Sequence, residues 1–452
     1  MLKVVKLSYI NKFFWPAITG LSSSLISFTR MFLGENDFLL NNIWAEDGLF
    51  VVCNIKSNVF SCLTDSYSGY LLFYPRIISF IVHYFSVENW ALVNNLLYLI
   101  VIFLLSFLVY SILEKEYSKG TTYMVVVIPY ILAISSDQVI NVHSSLYLIA
   151  TAYLIIIFSN NAWLEPKNHK IYFALVFTVF LHASSTPFGV IVLLIILSKI
   201  VINRKIYGLK KTLILSTIVG NVWQLMVISL ANEVRDSIGD NLLVLKNSFN
   251  YFLKSAISIF YYPTDSKLHS EVFLQQSLVS FLYTHVYLLI LIIISISILP
   301  FFIRGRLRTK FHSISIVSIS LIAILIISSK TFGWPYRFLV LTSTLIIWVI
   351  LNLVSMIRFR IPRITVLFLI SISILYNSVQ SFPISPYRAD GPKWTNEIKS
   401  KVNICNTESW KVKSIDLTFY PNWPTENPHS YGLSEPTTNV IRCAKLLEKF
   451  SQ

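Results

Sequence analysis

Long apolar runs alternating with short basic clusters set the pattern of this chain. "NNLLYLIVIFLLSFLVYSIL" (Asn94 to Leu113) and "VYLLILIIISISILPFFI" (Val286 to Ile303) carry no charge. Each approaches the ~20 apolar residues that a helix needs to cross a bilayer. Between such runs stand Lys3, Lys6 and Lys12; Lys115 and Lys119; Lys167 and Lys170; Arg204, Lys205, Lys210 and Lys211; Arg304, Arg306, Arg308 and Lys310; and Arg358, Arg360 and Arg363. Short basic loops gathered on one side mark the cytoplasmic face of a membrane protein. Assigning all of these clusters to that face predicts eleven crossings, at residues 13–33, 92–113, 121–136, 144–159, 171–186, 188–203, 212–230, 277–303, 311–328, 337–357 and 364–380. The amino terminus is then inside and the carboxyl terminus outside. The first segment lacks a small-residue cleavage site and reads as a retained helix.

One apolar stretch does not fit that alternation. "GYLLFYPRIISFIVHYFSV" (Gly69 to Val87) is greasy enough to span, yet counting it would put the later basic loops outside. It also contains Pro75, Arg76 and His83. An interfacial or re-entrant helix along the outer face satisfies both the charges and the parity.

The pattern therefore predicts an all-α polytopic membrane protein. A transmembrane part over 1–380 carries outer loops at 34–91 and 231–276, and an outer C-terminal domain follows over 381–452. From Ser381 the chain becomes rich in Pro, Asn and Trp with alternating apolar residues. That change predicts a small α+β domain with short strands and a disulfide, docked on the membrane part; a loosely ordered cap is the alternative.

Composition agrees. Hydrophobic residues make up 55% of 452 positions and charged ones 13%, against the ~25% charged of a soluble domain. The net charge of +15 sits between the apolar runs, so it reports orientation and not a nucleic-acid partner. All four cysteines, Cys53, Cys62, Cys405 and Cys443, fall in the outer segments. An oxidising compartment explains that placement, with Cys53–Cys62 and Cys405–Cys443 the economical pairing and four unremarkable thiols the alternative. No Cys-x-x-Cys or clustered His accompanies them, so no metal is expected.

The expected spans hold almost nothing ionisable: His182, His285, and Lys199 near a cytoplasmic end. Ion-coupled transporters keep costly intramembrane carboxylates for coupling, and none is found here. With 13 Gly in the chain and no phosphate-cradling loop, neither an ATP-driven pump nor any other cofactor is expected. Charge concentrates instead in the first outer loop, which carries Arg30, Glu35, Asp37, Glu46, Asp47, Asp65 and Arg76. Transfer of a sugar from a phosphate leaving group needs a carboxylate to deprotonate the acceptor hydroxyl. It also needs cations or dipoles for the departing phosphate. Trp44, Tyr67, Tyr70 and Tyr74 suit sugar stacking or, equally, an aromatic belt at the membrane surface.

Glu46 and Asp47 each admit a bland reading as loop or helix-capping acids. Asp47, which precedes Gly48 and has the shorter side chain, is the better candidate base. Arg76 must find an anion, and a lipid headgroup, a phosphate and Asp47 are its options. Lys330 and Arg337 in "SKTFGWPYRF" (Ser329 to Phe338) face outward against the positive-inside trend, which fits an anionic ligand or simple headgroup contact.

The segments "WAEDGLF" and "YSGYLLFYPR", the "PYRF" before a late span, and the Trp/Pro-rich tail together resemble one group of enzymes. These are the GT-C class of polyprenyl-phosphate-sugar glycosyltransferases, and within it the serotype-converting O-antigen glucosyltransferases. The resemblance implies a bacterial inner-membrane enzyme facing the periplasm. Its donor would be an undecaprenyl-phosphate-linked hexose, glucose in those relatives, and its acceptor a lipid-linked O-antigen. It implies inversion at the anomeric carbon with Asp47 or Glu46 as base. The residues themselves make Arg76, Arg337 and Lys330 the candidates for the donor phosphate, and Trp44, Tyr70 and Asp65 those for substrate contact. An O-antigen polymerase is the nearest rival, and would lean on arginines of large outer loops more than on an early acidic motif. A lipid-glycan flippase is the rival outside enzymes; it would want a cationic cavity through the spans.

Overall fold

The computed structural model describes residues 2–32, 43, 45–56, 58–64, 71–114, 117–132, 169–185, 189, 193, 208–230, 336–355, 360–380, 393–407, 414–417 and 440–451. Helix accounts for 88% of the described residues, so the described chain is mostly all-α. Its helices are α1 (Leu2–Phe32), α2 (Ala45–Lys56), α3 (Val59–Thr64), α4 (Phe73–Val82), α5 (Trp90–Leu113), α6 (Lys119–Ile131), α7 (His169–Ala183), α8 (Gly208–Leu230), α9 (Tyr336–Ser355), α10 (Arg360–Gln380), α11 (Trp394–Thr407) and α12 (Cys443–Phe450). Two short strands, β1 (Ser414–Asp416) and β2 (Val440–Arg442), pair antiparallel with Ile415 opposite Ile441.

Helix α5 is the hub. With the preceding turn it forms the stretch Val87–Leu113, the one helix among the described residues that is long and apolar enough to cross a membrane. At 1.5 Å per residue, its 24 residues reach ~36 Å, against a hydrocarbon core of ~30 Å. α1 packs along it in the opposite direction. Phe13 stacks on Phe107 at 6.2 Å, and Ser24 Oγ donates to Leu99 O at 2.9 Å. Between these points Gly20 brings the backbones together: a Cβ there would lie 2.8 Å from Phe103 O.

A second pair, α7 and α8, runs parallel. Ser216 Oγ donates to Val176 O at 2.9 Å. One turn further on, a Cβ on Gly220 would meet Ala183 Cβ at 2.7 Å and Phe180 O at 3.1 Å. Arg30, in the last turn of α1, is fully buried and ties α1 to α6. Its Nη2 donates to Ile131 O at 2.8 Å and Leu132 O at 3.1 Å, placing a cation on the carbonyl end of that helix.

Helix α4 has ten residues and so reaches only ~15 Å, half the thickness of a hydrocarbon core. Within the 69–87 stretch the described chain forms the short helix α4, and a 3-10 turn, Val87–Asn89, then leads straight into α5.

The described C-terminal elements combine helices, two short strands and a disulfide, in line with the α+β expectation. The strands are three residues each, and helices flank them. Trp394, Ile398, Val402 and Cys405 recur at helical spacing and are all buried on α11. Glu397 and Lys401 pair at 3.5 Å one turn apart. That periodicity outweighs the strand-like composition around it. The expectations at spans 144–159, 188–203, 277–303 and 311–328 and in the loop 231–276 rest mainly or wholly outside the described residues.

Candidate functional site

Helices α2 and α3 form a disulfide-closed corner. Cys53 on α2 is bonded to Cys62 on α3, with their Cα atoms 5.9 Å apart. α4 runs parallel to α2 across this corner. Asn54 Nδ2 donates to Ser79 O at 2.9 Å and to Ser79 Oγ at 2.7 Å. One turn earlier on each helix, the Arg76 guanidinium lies over the Phe50 ring with Cζ 4.9 Å from the centroid. Carrying that register back, Asp47 comes level with Leu72, the N-cap of α4. Asp47 and Phe50 are three residues apart and so share a face of α2.

Asp47 is 3% exposed and Arg76 is 4% exposed. Neither is a solvated loop charge. Asp47 lies in the first turn of α2, where the N-terminal amides favour a carboxylate. Arg76 Nη1 donates to Cys62 O, one of the terminal carbonyls of α3. Arg76 therefore already holds the α3 corner, a structural role beside any role toward ligand. Glu46 is the second residue of α2 and Arg337 the second residue of α9. Trp44, Asp65, Tyr70 and Lys330 lie outside the described residues.

The C-terminal segment docks at the far end of α4 and on the turn that follows it. Trp394 is buried, and its Nε1 donates to Val87 O at 2.6 Å. Thr395 Oγ1 donates to Glu88 O at 3.1 Å, and Lys399 lies 3.9 Å from the Glu88 carboxylate. From α12, Lys449 Nζ meets His83 Nε2 at 3.1 Å. α12 and β2 both rest on α2. Cys405 and Cys443, with Cα atoms 5.3 Å apart, are bonded and tie α11 to the start of α12. Burial holds the His83 imidazole below its usual pKa, and the Lys449 cation adds to that depression.

At its other end, α4 meets the tips of α7 and α8. Leu71 N donates to Gln224 Oε1 at 3.0 Å and Tyr74 N to Ser185 Oγ at 2.9 Å. Phe73 packs against Trp223 at 4.9 Å and Phe180 at 5.8 Å. Sequence reasoning missed Gln224, Ser185 and Trp394. No local pattern distinguishes a Gln or Ser near a helix end that binds a loop amide more than a hundred residues away.

Among the described residues no cluster of three or more His, Cys, Asp or Glu could hold a metal ion. The chemical content of the corner is a buried carboxylate, a buried guanidinium and the amide end of α4; the C-terminal segment docks beyond the other end of α4, on His83, Val87 and Glu88. No protein-family model, curated protein or solved structure matches the chain.

Proposed function

We propose that the protein is a multi-pass glycosyltransferase of a bacterial inner membrane, with its amino terminus inside and its carboxyl terminus and active site in the periplasm. It transfers a hexose, glucose by the resemblance of its motifs, from an undecaprenyl-phosphate-linked donor to a lipid-linked O-antigen. The acceptor hydroxyl oxygen attacks the anomeric carbon as the bond to the phosphate oxygen breaks. The hydroxyl proton passes to the Asp47 carboxylate, and undecaprenyl phosphate leaves with the bonding pair.

The observation that carries this reading is the burial of Asp47 on the face of α2 whose Phe50 lies against Arg76. A carboxylate and a guanidinium withdrawn from water at one corner are costly unless they serve each other or a ligand. Supporting the membrane setting, Leu92, Leu96, Ile100 and Leu104 form a four-residue-spaced exposed stripe on α5. Leu215, Val219, Val222 and Met226 form a second on α8, more apolar surface than water-facing helices present.

Comparing the masses of the O-antigen glycan from cells with and without this protein tests the reading. One added hexose per modified repeat, present only with the protein, is the expected result. Unchanged side-branch composition with altered chain length would instead mark a polymerase and overturn it.

A further inference from the structure

We infer that Gln224 and Ser185, with the first turn of α4, form a binding site for a phosphate group. The inference rests on the proposed function only for the role of that phosphate, as the leaving group of the donor lipid; binding itself is independent of it.

The amide of Gln224 has a fixed sense. Leu71 N–H can only donate, so the atom 3.0 Å from it is the oxygen, Oε1. Nε2 is thereby turned to the side, a bond angle away from Oε1 and against the same end of α4. Gln224 is 2% exposed, and its Nε2 has no hydrogen-bond partner among the described residues. A buried amide with two unused hydrogens is a standing cost. That cost disappears when an acceptor is bound.

The surroundings supply further donors and few competitors. Ser185 is buried, and its oxygen accepts from Tyr74 N, which leaves the hydroxyl hydrogen to give. Leu72, the N-cap of α4, has a backbone amide, as does Phe73; a helix offers such groups no intrahelical acceptor. The dipole of α4 adds positive potential at this point. None of α4, α7 and α8 contains an Asp or Glu, and α4 carries Arg76. The carboxylate nearest in register is Asp47, on α2. Several neutral donors converging on one point suit a tetrahedral oxyanion that takes several hydrogen bonds at once, and a phosphate at a helix N-terminus is the recurrent case. Phe73, Phe180 and Trp223 form an apolar wall beside it, which suits the phosphate of a lipid better than a freely hydrated ion. The register of α2 on α4 sets Asp47 level with the same helix end.

The test uses the full chain in nanodiscs, with undecaprenyl phosphate and inorganic phosphate as separate probes and binding read by native mass spectrometry and competition. It is run in the Asp47→Asn background, so that binding is scored apart from transfer. Gln224→Met keeps the shape and removes both hydrogens. It should weaken undecaprenyl phosphate binding ~10-fold or more, the loss of a hydrogen bond to a charged group, and Ser185→Ala should weaken it in the same direction. Inorganic phosphate that competes with the lipid identifies the headgroup as the ligand. Inorganic phosphate bound in a Gln224-dependent way while the lipid is not bound leaves a phosphate site and assigns it to free phosphate. Undiminished binding of both probes in Gln224→Met and in Ser185→Ala overturns the inference, whether or not the Asp47→Asn protein has lost transfer. Should Gln224→Met not fold, Ser185→Ala decides alone.

Discussion

Arg76 shows how much a single side chain can be asked to do. Its Nη1 holds the end of α3 through Cys62 O, its face lies on Phe50, and Cys62 is bonded to Cys53 on the helix that carries Asp47. The guanidinium is planar and presents donors on several edges, so it can stack and bond at once, which an ammonium cannot. Arg76→Lys should therefore loosen the corner as well as weaken any phosphate contact. The expected outcome is a lower thermal unfolding midpoint together with a raised KM for the lipid-linked donor. A midpoint unchanged from wild type would show that the Cys62 contact contributes nothing measurable.

At the scale of elements, the docking of the C-terminal segment on the α4–α5 turn joins two distant parts of the described chain. Its hydrogen bonds join residues more than three hundred positions apart: Trp394 to Val87 and Thr395 to Glu88. The Lys449–His83 contact is the part that responds to pH. His83 sits below the ordinary histidine value of 6.5, through burial first and the Lys449 cation second. The docked state thus binds a proton less readily than the released one. Docking is at full strength above about pH 6.5 and weakens as the pH falls below it, where protonated His83 faces a cation. Limited proteolysis after α10 should accelerate between pH 7 and 5, and His83→Gln should flatten that dependence. Equal cleavage of wild type and variant across the range would contradict it.

The same scale shows what the sequence made legible. The uncharged run at Asn94–Leu113 announced α5, and the conflict between apolarity and parity at Gly69–Val87 announced a short helix there. These are local signals of composition and charge. Arg30 lay in plain view as an outer-loop cation, yet its actual bond is to the carbonyl end of α6, a hundred residues on. Contacts of that kind, like Leu71 with Gln224, arise from packing and leave no trace in spacing. The helix α11 was hidden for a different reason. Its apolar period of four is embedded in a Pro- and Asn-rich segment whose average composition reads as strand and loop.

On the whole-molecule scale, two contacts bear on topology without counting spans. Val87 at the start of α5 and Trp394 at the start of α11 are hydrogen-bonded, so if α5 spans a bilayer the intervening chain crosses it an even number of times. α1 runs antiparallel to α5, which puts the start of α1 on the face away from that joint. Reporters fused after Gln452 and within the Arg304–Lys310 cluster should be active on opposite sides, outside and inside respectively. Matching activity on one side would break the proposed arrangement.

The central claim, that Asp47 takes the acceptor proton at this outer corner, has one direct measurement. Purified protein is supplied with undecaprenyl-phosphate-linked glucose and lipid-linked O-antigen, and the initial rate of hexose transfer is compared for wild type and Asp47→Asn. Asparagine keeps the size and one accepting oxygen of the buried side chain but cannot take up the proton. The account predicts a fall of ~100- to 10,000-fold with donor binding retained. Transfer at the wild-type rate by Asp47→Asn would contradict it.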